Sequence, residues 1–227
     1  MKVSDYIATT LEKNGVSVVF EMIGGMITHI IDSLHQKTKI NIVSLRHEQS
    51  AGFAAEAVGR LSGVPGIALA TSGPGATNLV TAIASCFFDS TPTIFITGQV
   101  NISELSLDLP IRQQGFQETD IVSIAKPITK WATLVEDAEQ IPSVFEKAFS
   151  LATSGRPGPV LIDIPMNVQR MDINPVVQKS HLPSSGFVEK VDFHDQLKSS
   201  LSRSERPLLL LGGGVRTSGS IEFCREL

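Results

Sequence analysis

Only two cysteines, Cys86 and Cys224, occur among the 227 residues, and no Cys-x-x-Cys pair exists. That excludes a disulfide framework and the usual zinc spacing, and it makes the cytoplasm the expected compartment. Lysine and arginine are scattered, no five-residue basic run occurs, and the formal net charge is -4. A nucleic acid is therefore not the expected partner, because phosphate binding needs a basic face. No apolar stretch approaches the length of a bilayer span. The first residues carry Asp5 and Glu12 where a secretory leader would need its apolar segment, so no membrane association is expected. His47-Glu48 does not open a His-Glu-x-x-His zinc site, since position 51 is Ala51. Ser72-Gly73-Pro74-Gly75 lacks the Gly-Lys-Ser/Thr ending of a phosphate loop. Repeats of solenoid period are missing too.

What is present is an ordinary globular composition, 42% hydrophobic and 19% charged, able to bury a real core. A first helix opens at Ser4-Asp5 and stops near Asn14-Gly15, with glycine in the usual stop position. Strands are expected over 16–20, 40–45, 66–71, 93–97 and 159–164. Helices are expected over 26–34, 47–62, about Ala76 to Phe88, and about Ile141 to Thr153. Near-continuous apolar strands alternating with helices indicate an α/β fold, a parallel sheet with helices on both faces. Residues 99–115 interrupt the alternation and read as a loop. The expected domain is 1–168, followed by a polar linker over 169–192 with Pro175, Pro183 and Ser184-Ser185-Gly186. Residues 193–227 then read as the beginning of a second α/β domain, with a helix over 193–201, a strand over 207–211 and a turn at Gly212-Gly213-Gly214. One strand and two helices cannot bury an α/β core, so the expectation is a piece of a longer protein.

The stretch from Leu45 to Arg60 places Glu48 where an apolar strand passes into an Ala- and Gly-rich helix. In open α/β sheets this edge is where ligands bind. Two readings of Glu48 are open on these residues alone: a first-turn acid that complements the helix dipole, or a carboxylate that meets a ligand nitrogen. Ser72-Gly73-Pro74-Gly75 follows the next small-residue strand, either as a tight turn or as backbone that a ligand or subunit approaches.

Together, Leu45 to Arg60 and Gly66 to Asn78 resemble the N-terminal, pyrimidine-binding domain of thiamine diphosphate enzymes, most of all the acetolactate synthase branch. The likeness continues through Ile96-Thr97-Gly98-Gln99-Val100, Phe116 to Val122, Pro127 to Lys130 and Gly155 to Pro165, covering about residues 4–168. It implies thiamine diphosphate as cofactor, with Glu48, Gln99 and Gly25 at the catalytic positions. Glu48 would bond a ring nitrogen of the aminopyrimidine and favour its imino form, which removes the thiazolium proton. The resulting ylid attacks a 2-keto acid such as pyruvate, and the two-carbon unit left by decarboxylation passes to an acceptor. The protein supplies placement and one carboxyl, and the cofactor the hard chemistry. Gly24, Gly25, Ser72, Pro74 and Asn78 match cofactor-binding positions; Phe116, Gln117 and Met166 match positions facing substrate. Arg156 with Gly212 and Gly213 match FAD contacts, a structural inheritance in that branch. Mg2+ ligands are expected after Leu227, and none before it. A homodimer or homotetramer is implied, because family sites form between subunits; a regulatory subunit is left open.

The chain departs from the branch at several points. Met22-Ile23 and Met26 replace its Tyr-Pro and Ala around the two glycines, and Met166 stands where a lysine is usual. The segment between Val100 and Phe116 is longer than in that branch. These departures leave room for another decarboxylase or carboligase with a different acceptor. A non-catalytic paralogue is the reading outside enzymes, and retention of Glu48 speaks against it.

Overall fold

The computed structural model describes residues 1–106, 109–174 and 193–226. They belong to two units, Met1–Leu182 and Pro183–Leu227.

The first unit is built on six parallel strands: β1 (Val18–Glu21), β2 (Asn41–Ser44), β3 (Gly66–Ala70), β4 (Thr93–Gln99), β5 (Trp131–Leu134) and β6 (Pro159–Pro165). Their spatial order is β2-β1-β3-β4-β6-β5. Alternate side chains leave opposite faces of a strand, and both faces here are apolar. Ile67, Leu69, Ile94, Ile96, Val160 and Ile162 meet α1 (Val3–Lys13), α2 (Thr28–Lys37) and α7 (Ile141–Thr153). Ala68, Ala70, Phe95 and Leu161 face the other way, towards α3 (Glu48–Ser62), α4 (Pro74–Asn78), α5 (Val80–Asp89) and α6 (Ile121–Ala125). Each fully buried Ile or Leu contributes about 1.5–3 kcal/mol. Small residues let α3 lie flush on the sheet: a Cβ at Gly66 would lie 1.8 Å from the Ala55 carbonyl oxygen.

The expected strands and long helices form within a few residues of their expected limits. The helix read from Ala76 to Phe88 is formed as α4 and α5, with Leu79 in right-handed helical conformation between them. β5 carries no strand signal in the sequence. It is four residues long and only half-buried, at the sheet edge beside β6. The segment 169–173, read as the start of a linker, packs on the domain instead. After α8 (Met166–Arg170), the Met171 carbonyl accepts from the Val3 amide at 2.8 Å, and Ile173 is buried. Most of the expected linker, residues 175–192, lies outside the described residues.

In the second unit, α9 (His194–Arg203), α10 (Gly214–Thr217) and α11 (Ile221–Arg225) bury none of their residues. The strand expected over 207–211 is not one: Leu208 and Leu210 are 92% and 91% exposed. Backbone groups become a strand only when a neighbouring strand takes up their hydrogen bonds, and none among the described residues does so. No described helix is long and apolar enough to cross a membrane.

Candidate functional site

Strand order reverses between β1 and β3, since the chain moves to β2 on one side and then returns to β3 on the other. Crevices outside the carboxyl ends of strands at such a point are the ligand sites of open α/β sheets. Three expected segments converge there: the turn after β1 with Gly24 and Gly25, the start of α3 with Glu48, and the turn after β3 with Ser72, Gly73 and Pro74.

The first turn is held from three sides. A Cβ at Gly24 would lie 2.4 Å from the Thr71 Cβ, so glycine is required for the approach to β3. Thr71 Oγ1 accepts from the Met26 amide at 3.2 Å. Gln169 Nε2 donates to the Met26 carbonyl at 2.7 Å and to the Ile164 carbonyl at 2.8 Å. Gly25 itself has nothing within 4 Å of where a Cβ would stand, leaving space in front of it.

Glu48 is the first residue of α3, 7% exposed. His47 caps this helix: its Nδ1 accepts from the Gln49 amide at 3.1 Å, which gives His47 a structural task. Asn78 Nδ2 donates to Glu48 Oε2 at 2.9 Å, so two of the expected cofactor residues are bonded to each other. Thr71 and Glu48 close in on Gly75, where a Cβ would lie 2.8 Å from Thr71 Cγ2 and 3.3 Å from Glu48 Oε1. Ser72 is 1% exposed, and its hydroxyl oxygen has no hydrogen-bond partner among the described residues. A buried polar atom without a partner is costly, so this atom suits a ligand group. Nearby in the sheet, Ser44 Oγ donates to Glu21, whose second carboxylate oxygen is also buried without a partner among the described residues.

The residues expected to face substrate divide. Gln117 packs on the turn after β3: a Cβ at Gly73 would lie 2.7 Å from the Gln117 Cβ. Gly73 has φ +63°, and Gln117 has φ +61°, a left-handed conformation unusual for a residue with a side chain. Phe116 is 75% exposed and is not a core residue. Met166 opens α8, half-buried. Gln99 is buried at the end of β4, with its amide bonded to Asp163 and to the Thr119 carbonyl. Beside it lies a cavity of about 230 Å³, lined among others by Leu105, Ser106, Glu118, Asp120 and Asp163. Burial pushes the Asp163 carboxyl up to about 7 against the hydrogen bonds from Thr97 and Gln99; Asp120 adds to the rise. Burial also pushes Glu118 up, but hydrogen bonds from the Gln114 backbone and from Ser106 outweigh it and leave that acid below its ordinary range.

The expected FAD contacts fall on both units. Arg156 Nε donates to Ser90 Oγ at 2.6 Å, on the first unit. Gly212 and Gly213 belong to the second unit. Among the described residues no group of three or more His, Cys, Asp or Glu could hold a metal.

Thr71, Asp163 and Gln169 went unassigned in the sequence. Asp163 had a signal, a single acid inside the apolar run of β6. Gln169 had none, because its role depends on α8 folding back onto the Met26 carbonyl.

Residues 1–124 match the family described as thiamine pyrophosphate enzyme, N-terminal TPP binding domain. The chain belongs to that family. Over 224 residues it is 43% identical to acetolactate synthase, chloroplastic, of Arabidopsis thaliana, covering 96% of this chain and 32% of that protein. The probable acetolactate synthase large subunit of Methanocaldococcus jannaschii is 41% identical over 98% of this chain and 37% of its own length. Acetolactate synthase isozyme 1 large subunit of Escherichia coli is 41% identical over 93% of this chain and 37% of its own. The chain thus spans about a third of the length of the curated relatives it matches. Family membership decides between the two readings of the Glu48 edge only as far as the domain, which is a thiamine pyrophosphate-binding one.

Proposed function

We propose that this chain is the pyrimidine-binding part of an acetolactate synthase-like enzyme that decarboxylates a 2-keto acid, pyruvate first, and transfers the two-carbon unit to an acceptor. The observation that carries the reading is the Glu48 carboxylate, buried at the head of α3, bonded to Asn78 and adjoining the two glycine turns at the reversal of strand order. Thiamine diphosphate, when bound, supplies the nucleophilic carbon and the electron sink that decarboxylation needs.

The residues fit its aminopyrimidine. Glu48 offers a carboxylate oxygen to a ring nitrogen and holds a proton there, while Asn78 fixes the other oxygen. The Ser72 hydroxyl, buried without a partner among the described residues, offers a donor or acceptor to the same ring. Gly25 leaves room in front of the turn, and a side chain at Gly24 or Gly75 would displace Thr71. Mg2+ belongs to the same reading with ligands outside these 227 residues, and FAD is an optional second nucleotide at Arg156 and Gly212-Gly213. Assembly as a homodimer or homotetramer follows from a site completed by a second subunit. The unpaired cysteines Cys86 and Cys224 suit the cytoplasm.

The test is carbon dioxide release from pyruvate by the full-length protein with thiamine diphosphate and Mg2+, with acetolactate measured as product. Glu48→Gln is expected to lower the rate about 100-fold or more, the range of a lost proton-transfer group. Equal rates for the two proteins would remove Glu48 from the mechanism.

A further inference from the structure

We propose that Asp163 and Gln99 are a positioning pair for the cofactor site: Asp163 fixes the Gln99 amide, and that amide fixes the segment carrying Gln117 against the Gly73 turn. The proposal rests on reading that site as the pyrimidine pocket. Asp163 is buried in β6, and its two oxygens accept from Thr97 Oγ1 at 2.7 Å and from Gln99 Nε2 at 2.8 Å. The same Nε2 donates to the Thr119 carbonyl at 2.8 Å, and Gln99 Oε1 accepts from the Val100 amide at 3.0 Å. Both N–H donors and the oxygen of Gln99 are therefore engaged, which sets its orientation and leaves neither N–H free to point at substrate.

Thr119 stands two residues after Gln117, whose left-handed backbone persists only if its surroundings over-determine it. They do so from two sides. The Gln99 bond holds the segment from the sheet, and the Gly73 turn leaves no space for a shift, with the Gln117 carbonyl oxygen 2.9 Å from where a Cβ at Gly73 would stand. Gly73 in turn caps α4, and α4 carries Asn78, the partner of Glu48. A continuous set of contacts thus links an acid in β6 to the carboxylate expected on the cofactor. Because the Gln99 amide is spent on Asp163, Thr119 and Val100, the role assigned to it is that of a positioning residue.

The experiment uses the full-length protein with Gln99→Met, Asp163→Val and the double variant. Hydrogen exchange is followed over 115–121, with α1 as internal reference, and thiamine diphosphate affinity is read by calorimetry with Mg2+. Each single variant is expected to speed exchange over 115–121 at least tenfold and to weaken cofactor binding about tenfold. The double variant should exceed the larger single by no more than twofold, since one linked unit is broken once. Unchanged exchange in folded Gln99→Met, or effects that multiply in the double variant, would overturn the pair. Should Gln99→Met fail to fold, Gln99→Glu replaces it. Its carboxyl donates one hydrogen bond when neutral at acid pH and none when ionised, so protection of 115–121 should fall at least tenfold with rising pH beyond wild type. A pH response equal to wild type would overturn the proposal. A wild type that takes up no thiamine diphosphate would refute the functional reading, while exchange would still decide the positioning.

Discussion

Asp163→Asn should abolish a pH dependence of stability that one buried carboxyl imposes on the wild type. The native carboxyl titrates at about 7, pushed up by burial, against 3.8 for the ordinary side chain. The folded-state value is raised, so the native state is relatively most stable below the unfolded value and loses stability as pH rises towards the folded one. Each tenfold step in proton affinity is about 1.4 kcal/mol, so the full loss is about 4 kcal/mol, of which about 2.5 falls between about pH 5 and pH 8. Asparagine does not titrate and keeps an oxygen acceptor for Gln99. Urea unfolding of both proteins at the two pH values isolates the term, because every other titrating group is shared. With a slope of about 2 kcal/mol per molar urea, the wild-type midpoint should fall by about 1 M more than that of the variant. Parallel midpoints would refute the reasoning and mean that Asp163 titrates alike in both states.

Other perturbations test separate parts of the structure. Gly73→Ala should cost about 3 kcal/mol in thermal or urea unfolding, combining a φ of +63° with a clash against Gln117. Arg60→Ala should cost about 2 kcal/mol, because Arg60 bonds the buried Glu56 at 2.7 Å and Asp89 at 2.6 Å, and Glu56 would lose its partner. An unchanged midpoint in that variant would mean that water replaces the guanidinium. Cys86 should resist thiol reagents in the native protein near neutral pH, since burial pushes its thiol up to about 12. Labelling as fast as that of an exposed thiol would contradict its place on the buried face of α5.

Most of the sheet was legible because its information is local. Runs such as Gly66 to Ala70 and Pro159 to Pro165 are buried at every position and, but for Asp163, apolar, as strands covered on both faces are. β5 escaped because Trp131 to Leu134 is half-buried at an edge, where the apolar requirement is relaxed. The stretch Pro207 to Leu211 failed in the opposite sense, having the composition of a strand and no neighbour among the described residues to pair with. Composition records what a segment would bury, and the partner decides whether it does.

The site shows the same division at finer scale. Gly24, Glu48 and Gly73 stand out in the sequence because each lies where a strand ends, in a glycine turn or at a helix start. Thr71, Gln99, Asp163 and Gln169 answer demands set by chain far away in sequence. Gln99 illustrates this, for its type is compatible with reaching a substrate, and only the separations to Asp163 and Thr119, 64 and 20 residues away, show where its amide is spent. The residues proposed to meet the cofactor therefore stand out in their own segment, whereas the proposed positioning pair becomes readable only when β4 and β6 lie side by side. That asymmetry is why Glu48→Gln and Gln99→Met should differ in kind. The first is expected to remove a proton-holding group and leave exchange over 115–121 unchanged, and the second to loosen that segment while the carboxylate remains.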